Sequence, residues 1–210
     1  AVAAGYGVKC FDTFTGFKFM AEKKNALEAT GEGKVVFSYE ESYGYMLGDY
    51  VRDKDAVTAS LLLTEMAAHY AAQGMTVLDA LQALYEKHGF YGEKTHNLVM
   101  PGLDGLKDMA ALMKRLREEP PRDIAGVAVV QFKDYADGSV VDCATGEKSS
   151  MELSGSNVLR FELADGTSII VRPSGTEPKI KVYVLTKGAG AAERDANIAK
   201  YGQWVDTLKK

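Results

Sequence analysis

Cysteine, histidine, charge of one sign and long apolar runs are all scarce in this chain of 210 residues, and each scarcity removes a class of protein. The two cysteines, Cys10 and Cys143, are too few and too far apart for a disulfide framework or a CxxC metal knuckle, so a reducing cytoplasm is the default reading. The three histidines, His69, His88 and His96, have the spacing of neither a zinc site nor a triad and read as surface or structural residues. No apolar run approaches the roughly 20 residues that a bilayer-spanning helix needs, and the N-terminus lacks the basic-then-apolar order of a signal peptide. Net charge is only -4, with Lys and Arg scattered among Asp and Glu, so neither nucleic acid nor an anionic membrane is an expected partner. What is present is 46% hydrophobic residues, enough for a chain of this length to bury real cores. A small anionic ligand would have to find its positive charge locally.

Ala1 to Tyr6 carries no initiator Met and runs directly into the strand-like Gly7 to Phe11, which reads as the cut end of a longer polypeptide. Thr13-Phe14-Thr15-Gly16 is a loop before an amphipathic helix that reaches about Ala29 and is stopped by Thr30-Gly31-Glu32-Gly33. Lys34 to Tyr39, with Val35, Val36 and Phe37 in a row, predicts a strand covered on both faces. Asp53 is the expected N-cap of a helix, apolar on most sides and therefore buried, that runs to Gln73 and ends at Gly74. Thr76 and Asp79 form a variant capping box for a helix to about Lys87. This alternation predicts an α/β domain with a mainly parallel sheet.

Pro101-Gly102 marks a linker, and the pattern changes from His96 onward, which divides the chain into 1–95 and 96–210. In the second part Leu106, Met109, Met113 and Leu116 share a helical face ended by Pro120-Pro121. Val127 to Phe132 and the alternating Leu159 to Leu163 read as strands, and Asp165-Gly166 turns the chain into Thr167 to Val171. Ile180, Val182 and Val184 share one face of a last strand, and Ala191 to Leu208 makes a closing helix around Trp204. The expectation is an α+β domain with a mainly antiparallel sheet packed by helices, able to fold independently.

Three segments could carry chemistry. Arg172-Pro173-Ser174-Gly175-Thr176-Glu177-Pro178-Lys179 groups hydroxyls and backbone amides between two cations, which suits a phosphate. It also suits a surface hairpin loop whose Ser and Thr satisfy turn amides. Glu40-Glu41-Ser42-Tyr43-Gly44-Tyr45 ends the first strand with groups that can hydrogen-bond vicinal sugar hydroxyls and rings that can pack on a pyranose, or it is a polar turn. Asp49 to Asp55 is dense in charge before a helix, which the helix dipole alone would explain.

Taken in order, Thr13 to Phe19 (TFTGFKF), Phe37 to Tyr45 (FSYEESYGY), Tyr50 to Val57 (YVRDKDAV) and Arg172 to Lys179 (RPSGTEPK) resemble the phosphohexomutase family, and within it the phosphoglucomutase branch. The resemblance covers the later part of that family's third domain and its whole fourth domain. It implies that Glu40 and Ser42 hold sugar hydroxyls with Thr15 and Gly16 lining the same site. It also implies that Arg172, Ser174, Gly175, Thr176 and Lys179 bind the phosphate that is not being transferred, and that Lys54 matches a lysine proposed as a general acid/base. Ser38 departs from the Gly that relatives often carry before the acidic pair. The implied reaction interconverts glucose 1-phosphate and glucose 6-phosphate through a hexose 1,6-bisphosphate, with a phosphoserine and magnesium supplied by earlier domains. Neither a serine-histidine loop nor a D-G-D-x-D-R metal loop occurs here, so the chain alone is expected to be inactive. Expected partners are a phosphorylated sugar, the N-terminal domains of the parent enzyme, and a second copy of the chain. Related activities on mannose, glucosamine or pentose phosphates, and a noncatalytic sugar-phosphate binding module, are the alternatives.

Overall fold

The computed structural model of the chain describes residues 1–31, 33–48, 50–102, 104–175 and 177–208. They fall into two units, Ala1–His88 and Gly89–Lys210.

The first unit is mostly helical: α1 (Val2–Gly5), α2 (Phe17–Thr30), α3 (Ala56–Ala71) and α4 (Val77–His88), with two short strands, β1 (Phe37–Tyr39) and β2 (Tyr45–Leu47), between α2 and α3. Local signals set the helix ends as expected. Gly31 closes α2 in the left-handed region at φ 71°, a conformation that costs a residue with a side chain more than it costs Gly. The capping box of α4 is formed, with the Thr76 N–H donating to Asp79 Oδ2 at 2.7 Å and the Asp79 N–H to Thr76 Oγ1 at 3.1 Å. The cap of α3 is Asp55 rather than Asp53, because Asp55 accepts from the Val57 and Thr58 amides.

Tertiary expectations for this unit fare less well. Gly7 to Phe11 forms no strand. The one sheet among the unit's described residues is antiparallel, pairing Phe37 with Leu47, Ser38 with Met46 and Tyr39 with Tyr45, instead of the expected parallel arrangement. A parallel pair needs a second strand delivered by a crossover, whereas Tyr45–Leu47 lies one tight turn away from β1. Val36 and Phe37, expected to be covered on both faces, are exposed. Helix α3 contains no buried residue, although it is apolar on most sides. Within this unit α3 packs chiefly against β2 and α4, too little cover for such a surface.

The second unit holds β3 (Phe90–Val99), α5 (Gly105–Glu118), β4 (Asp123–Ile124), β5 (Val127–Asp134), β6 (Ser139–Asp142), β7 (Lys148–Ser150), β8 (Leu159–Leu163), β9 (Ser168–Pro173), β10 (Lys179–Gly188) and α6 (Ala191–Thr207). The strands form an antiparallel sheet in the order β3-β10-β9-β8-β5-β6-β7, with β4 added against β5. Strand β3 pairs with β10 along its length, from Phe90 opposite Gly188 to Val99 opposite Lys179. The expected division at 95/96 therefore cuts a strand, and the units part between His88 and Gly89. With Leu98 as its one fully buried apolar residue, β3 gives no alternating signal.

The core lies on one face of this sheet. Leu159, Phe161 and Leu163 alternate inward with Ile169, Val171, Ile180, Val182 and Val184 beside them, and Leu112, Met113 and Leu116 of α5 and Tyr201 and Val205 of α6 close over them. Ile180, Val182 and Val184 are each 0% exposed, and burial of such a side chain contributes about 1.5–3 kcal/mol. Leu106, expected on the buried face of α5, is exposed, and Leu112 takes that place.

Candidate functional site

The phosphate-type loop is the connection of the β9–β10 hairpin. Pro173 opposite Ile180 is the last strand pair before it. The Ser174 N–H donates to Lys179 O at 2.8 Å, the Lys179 N–H to Glu177 O at 2.7 Å, and the Glu177 N–H to Ser174 Oγ at 3.3 Å. The Pro178 carbonyl accepts from the Met100 N–H at 2.9 Å, which ties the loop to the end of β3. These bonds hold the loop from within. They also commit the Ser174 amide to the hairpin.

Arg172, Pro173, Ser174 and Gly175 line a cleft of about 390 Å³, together with Met109, Ala110 and Met113 of α5 and with Ser156 and Asn157 from the turn before β8. None of these lining residues is acidic, and Arg172 brings a cation to it. A Cβ built on Gly175 would have nothing within 4 Å, so the loop's backbone is open to a ligand there. Lys179 is not among the cleft's lining residues; its ammonium pairs with the Glu177 carboxylate. That contact, first by hydrogen bond and then by charge, holds the Glu177 carboxyl below its ordinary value. Thr176, expected in the same loop, lies outside the described residues.

The sugar-side residues belong to the first unit. Glu40 to Gly44 make the turn between β1 and β2: the Glu40 N–H donates to Gly44 O at 2.9 Å and the Tyr43 N–H to Glu40 O at 3.3 Å. Ser42 Oγ donates to Glu40 Oε2 at 3.4 Å, so these two expected ligands face one another. Ser38 sits in the regular pairing of β1.

The residue that gathers this side is Phe17, the first of α2 and directly after Thr15 and Gly16. A Cβ on Gly44 would lie 2.7 Å from Phe17 Cε2 and 3.3 Å from Glu40 Oε2, so the turn rests on the ring because position 44 has no side chain. Lys54 Nζ stands 5.8 Å from the centroid of the same ring. Gly16, Lys54 and the turn that carries Glu40 thus lie around a phenylalanine that motif reading passed over. Thr15 is exposed one position before Gly16. Lys54 is exposed and 3.6 Å from Asp53 Oδ1, while Arg52 reaches Glu28 at 3.6 Å. Asp55 accepts from Thr58 and Tyr50 hydroxyls and the Val57 amide, which together hold its carboxyl below the ordinary range.

Among the described residues no group of three or more His, Cys, Asp and Glu side chains comes together. The magnesium ion that the resemblance implies therefore has no ligand set among them. No helix among the described residues is long and apolar enough to cross a membrane.

An α/β-type unit with a carboxylate-bearing turn, followed by an antiparallel α+β unit with a cation-lined loop, is a combination that comparison with known proteins makes specific. The model of "Phosphoglucomutase/phosphomannomutase, alpha/beta/alpha domain III" matches residues 1–88, and that of "Phosphoglucomutase/phosphomannomutase, C-terminal domain" matches residues 106–197. The chain belongs to the phosphoglucomutase/phosphomannomutase family. It is 37% identical over 176 residues to a phosphoglucomutase of Staphylococcus aureus strain bovine RF122 / ET3-1, covering 84% of this chain and 31% of that protein. The phosphoglucomutase of strain N315 is 37% identical over 180 residues, 86% of this chain and 32% of that protein. A solved structure of pp63/parafusin, a phosphoglucomutase from Paramecium in an open form, shares the fold with a TM-score of 0.61 at 23% identity, covering 99% of this chain and 35% of that one. The chain thus spans about a third of the length of the curated relatives it matches.

Proposed function

We propose that this chain is the sugar-selecting and distal-phosphate-anchoring part of a phosphoglucomutase, an isomerase that interconverts glucose 1-phosphate and glucose 6-phosphate. The observation that carries the reading is the acid-free cleft bordered by Arg172, Ser174 and Gly175 at the tip of a well-packed hairpin. Arg172 supplies a planar cation for phosphate oxygens, and the Ser174 hydroxyl and the open backbone at Gly175 supply neutral donors. Fixing one phosphate there places the sugar's opposite hydroxyl for transfer, so the chain's contribution is positioning rather than bond breaking. Glu40 and Ser42, in the turn whose Gly44 rests on Phe17, hold sugar hydroxyls, and Lys54 beside the same ring serves as the acid/base. Magnesium and a hexose 1,6-bisphosphate belong to the parent reaction, supplied with the phosphoserine by other parts of that enzyme.

The test uses the chain as it stands. Inorganic phosphate should shift the amide resonances of Ser174 and Gly175, and Arg172→Ala should weaken that response. With glucose 1-phosphate, magnesium and bisphosphate activator, the chain should show no turnover above a blank. Equal phosphate responses in the two proteins, or turnover that survives removal of contaminating full-length enzyme, would refute the proposal.

A further inference from the structure

Arg117 on α5 couples the cleft to the sheet. Its Nε donates to Asp134 Oδ2 at 2.6 Å and its Nη2 to Asp134 Oδ1 at 3.4 Å, while the same Nη2 donates to Asn157 Oδ1 at 2.7 Å. Asp134, at the end of β5, is 5% exposed, and its Oδ1 also accepts from the Ala136 N–H at 2.9 Å. The carboxylate is therefore an anchor, and the guanidinium reaches from it to the turn before β8. That turn is tied by backbone bonds to the residue after β5, with the Ser156 N–H donating to Tyr135 O at 3.0 Å and the Tyr135 N–H to Val158 O at 2.9 Å.

A guanidinium offers only donors, so the atom of Asn157 that faces it must be the amide oxygen. The flip of that amide is thereby determined, and its NH2 group is turned away from Arg117. Asn157 lines the same cleft as Arg172, Ser174 and Gly175. A neutral donor of fixed orientation next to a cation and a hydroxyl is what a phosphate's several acceptor oxygens require.

We propose that Asn157 is a further phosphate ligand of this cleft, donating through Nδ2 to a phosphate oxygen, with Arg117 and Asp134 as positioning residues that set the amide. The inference rests on the phosphate-anchoring reading of Arg172 to Gly175. Nothing in the motif Arg172 to Lys179 points to it, since Asn157 reaches the cleft from a different turn.

Asn157→Asp is the informative variant. It keeps an oxygen for Arg117 but replaces the donor by a carboxylate, so phosphate affinity should fall roughly tenfold or more through lost hydrogen bonding and like-charge repulsion. Its unfolding midpoint should be no lower than that of the unchanged chain. The side-chain NH2 resonance of Asn157, identified by its loss in this variant, should shift on titration of the 210-residue chain with inorganic phosphate. Arg117→Lys keeps a cation beside Asp134 but cannot span to Asn157, and should abolish that shift while core amide signals such as that of Val182 stay in place. Wild-type phosphate affinity in Asn157→Asp, with weakened binding in Arg172→Ala, would overturn this inference and leave the loop reading intact. An unaltered shift in Arg117→Lys would remove the positioning role. Absence of phosphate binding by the unchanged chain would overturn both readings together.

Discussion

Gly105, buried at the first position of α5, should not tolerate a single added methyl group. A Cβ built there would lie 2.1 Å from the Met100 carbonyl oxygen and 3.1 Å from Pro178 Cβ. Neither neighbour is a flexible side-chain end. Met100 is held through its N–H to Pro178 O at 2.9 Å, and Pro178 belongs to the Arg172 to Lys179 loop. Overpacking a tight site costs about 1–3 kcal/mol, and an immovable backbone oxygen puts Gly105→Ala near the upper end. The helix preference of Ala over Gly returns at most about 1 kcal/mol. The net loss is about 2 kcal/mol, which for a unit of this size lowers the unfolding midpoint by roughly 5–10 °C. Because the displaced atoms include the loop's anchor, phosphate affinity should fall as well. Val205→Ala, which opens a cavity in the core away from the loop, should lower the midpoint without changing affinity at temperatures where it stays folded. Thermal unfolding by circular dichroism and phosphate titration by NMR give the two readouts. A Gly105→Ala chain that melts and binds phosphate like the unchanged chain would refute this account of the loop's support.

Other perturbations test other parts of the structure. Burial acts to raise the Glu162 carboxyl but is outweighed by the Ser168 hydroxyl, Arg160 and Lys133, so it titrates below its ordinary value of 4.5. Its stabilisation is thus present above that value and lost as pH falls through the lower folded value, and the midpoint gap to Glu162→Gln should narrow as pH falls below 4.5; a constant gap would count against it. Gly44→Ala should push the Phe17 ring and the Glu40 carboxylate apart, altering discrimination between glucose and mannose phosphates in a full-length enzyme while leaving phosphate affinity unchanged; unaltered discrimination would show that the turn does not select the sugar. The apolar surface of α3 and α4, where Val57 is 78% and Leu78 75% exposed, should make this chain self-associate, and Leu61→Glu with Leu78→Glu should shift sedimentation towards monomer; a monomer at high concentration before substitution would refute it.

What could be read from the residues depended on how far apart the interacting parts lie in the chain. The antiparallel unit was legible where one strand's own alternation decides its faces, as in Leu159 to Leu163 and Ile180 to Val184, and where Asp165-Gly166 connects neighbours. It was illegible in β3, whose sequence FYGEKTHNLV carries almost no alternation and is recruited by pairing with β10. Helix ends were legible because caps are local, down to the reciprocal bonds of Thr76 and Asp79, and the miss at Asp53 was of two positions between equivalent acids. The parallel sheet follows from the alternation of strand and helix, and the buried α3 from how much cover its apolar residues demand. Demand for cover does not supply it, and in this unit β1 pairs with β2 alone while α3 stays exposed.

The same dependence on distance separates the candidate residues of the first unit from those of the second. Arg172, Ser174 and Gly175 come from one hairpin whose strands are stitched by consecutive pairs, so their geometry follows from a motif that can be read in a single line. The hairpin stands on a core in which Val171, Ile180 and Val182 are each 0% exposed, so the anchor's shape is stabilised within its own unit. The sugar-side residues have no such support. Gly16, Glu40 and Lys54 come from three segments that lie around Phe17, and neither that ring nor the missing side chain of Gly44 is marked by any motif chemistry. Phe17 and Met46 are buried there, but the helix beside them keeps its apolar surface open. Ordering a turn costs about 1–2 kcal/mol per residue in backbone entropy, and a small local core offsets less of that cost than a sheet packed by two helices. Phosphate anchoring should therefore be intact in this chain by itself, whereas sugar selection should sharpen when α3 and α4 acquire cover. Amide exchange divides the two cases: protection through β9 and β10 should be strong in the isolated chain, and protection around Glu40 to Gly44 should rise only in a longer enzyme that contains it.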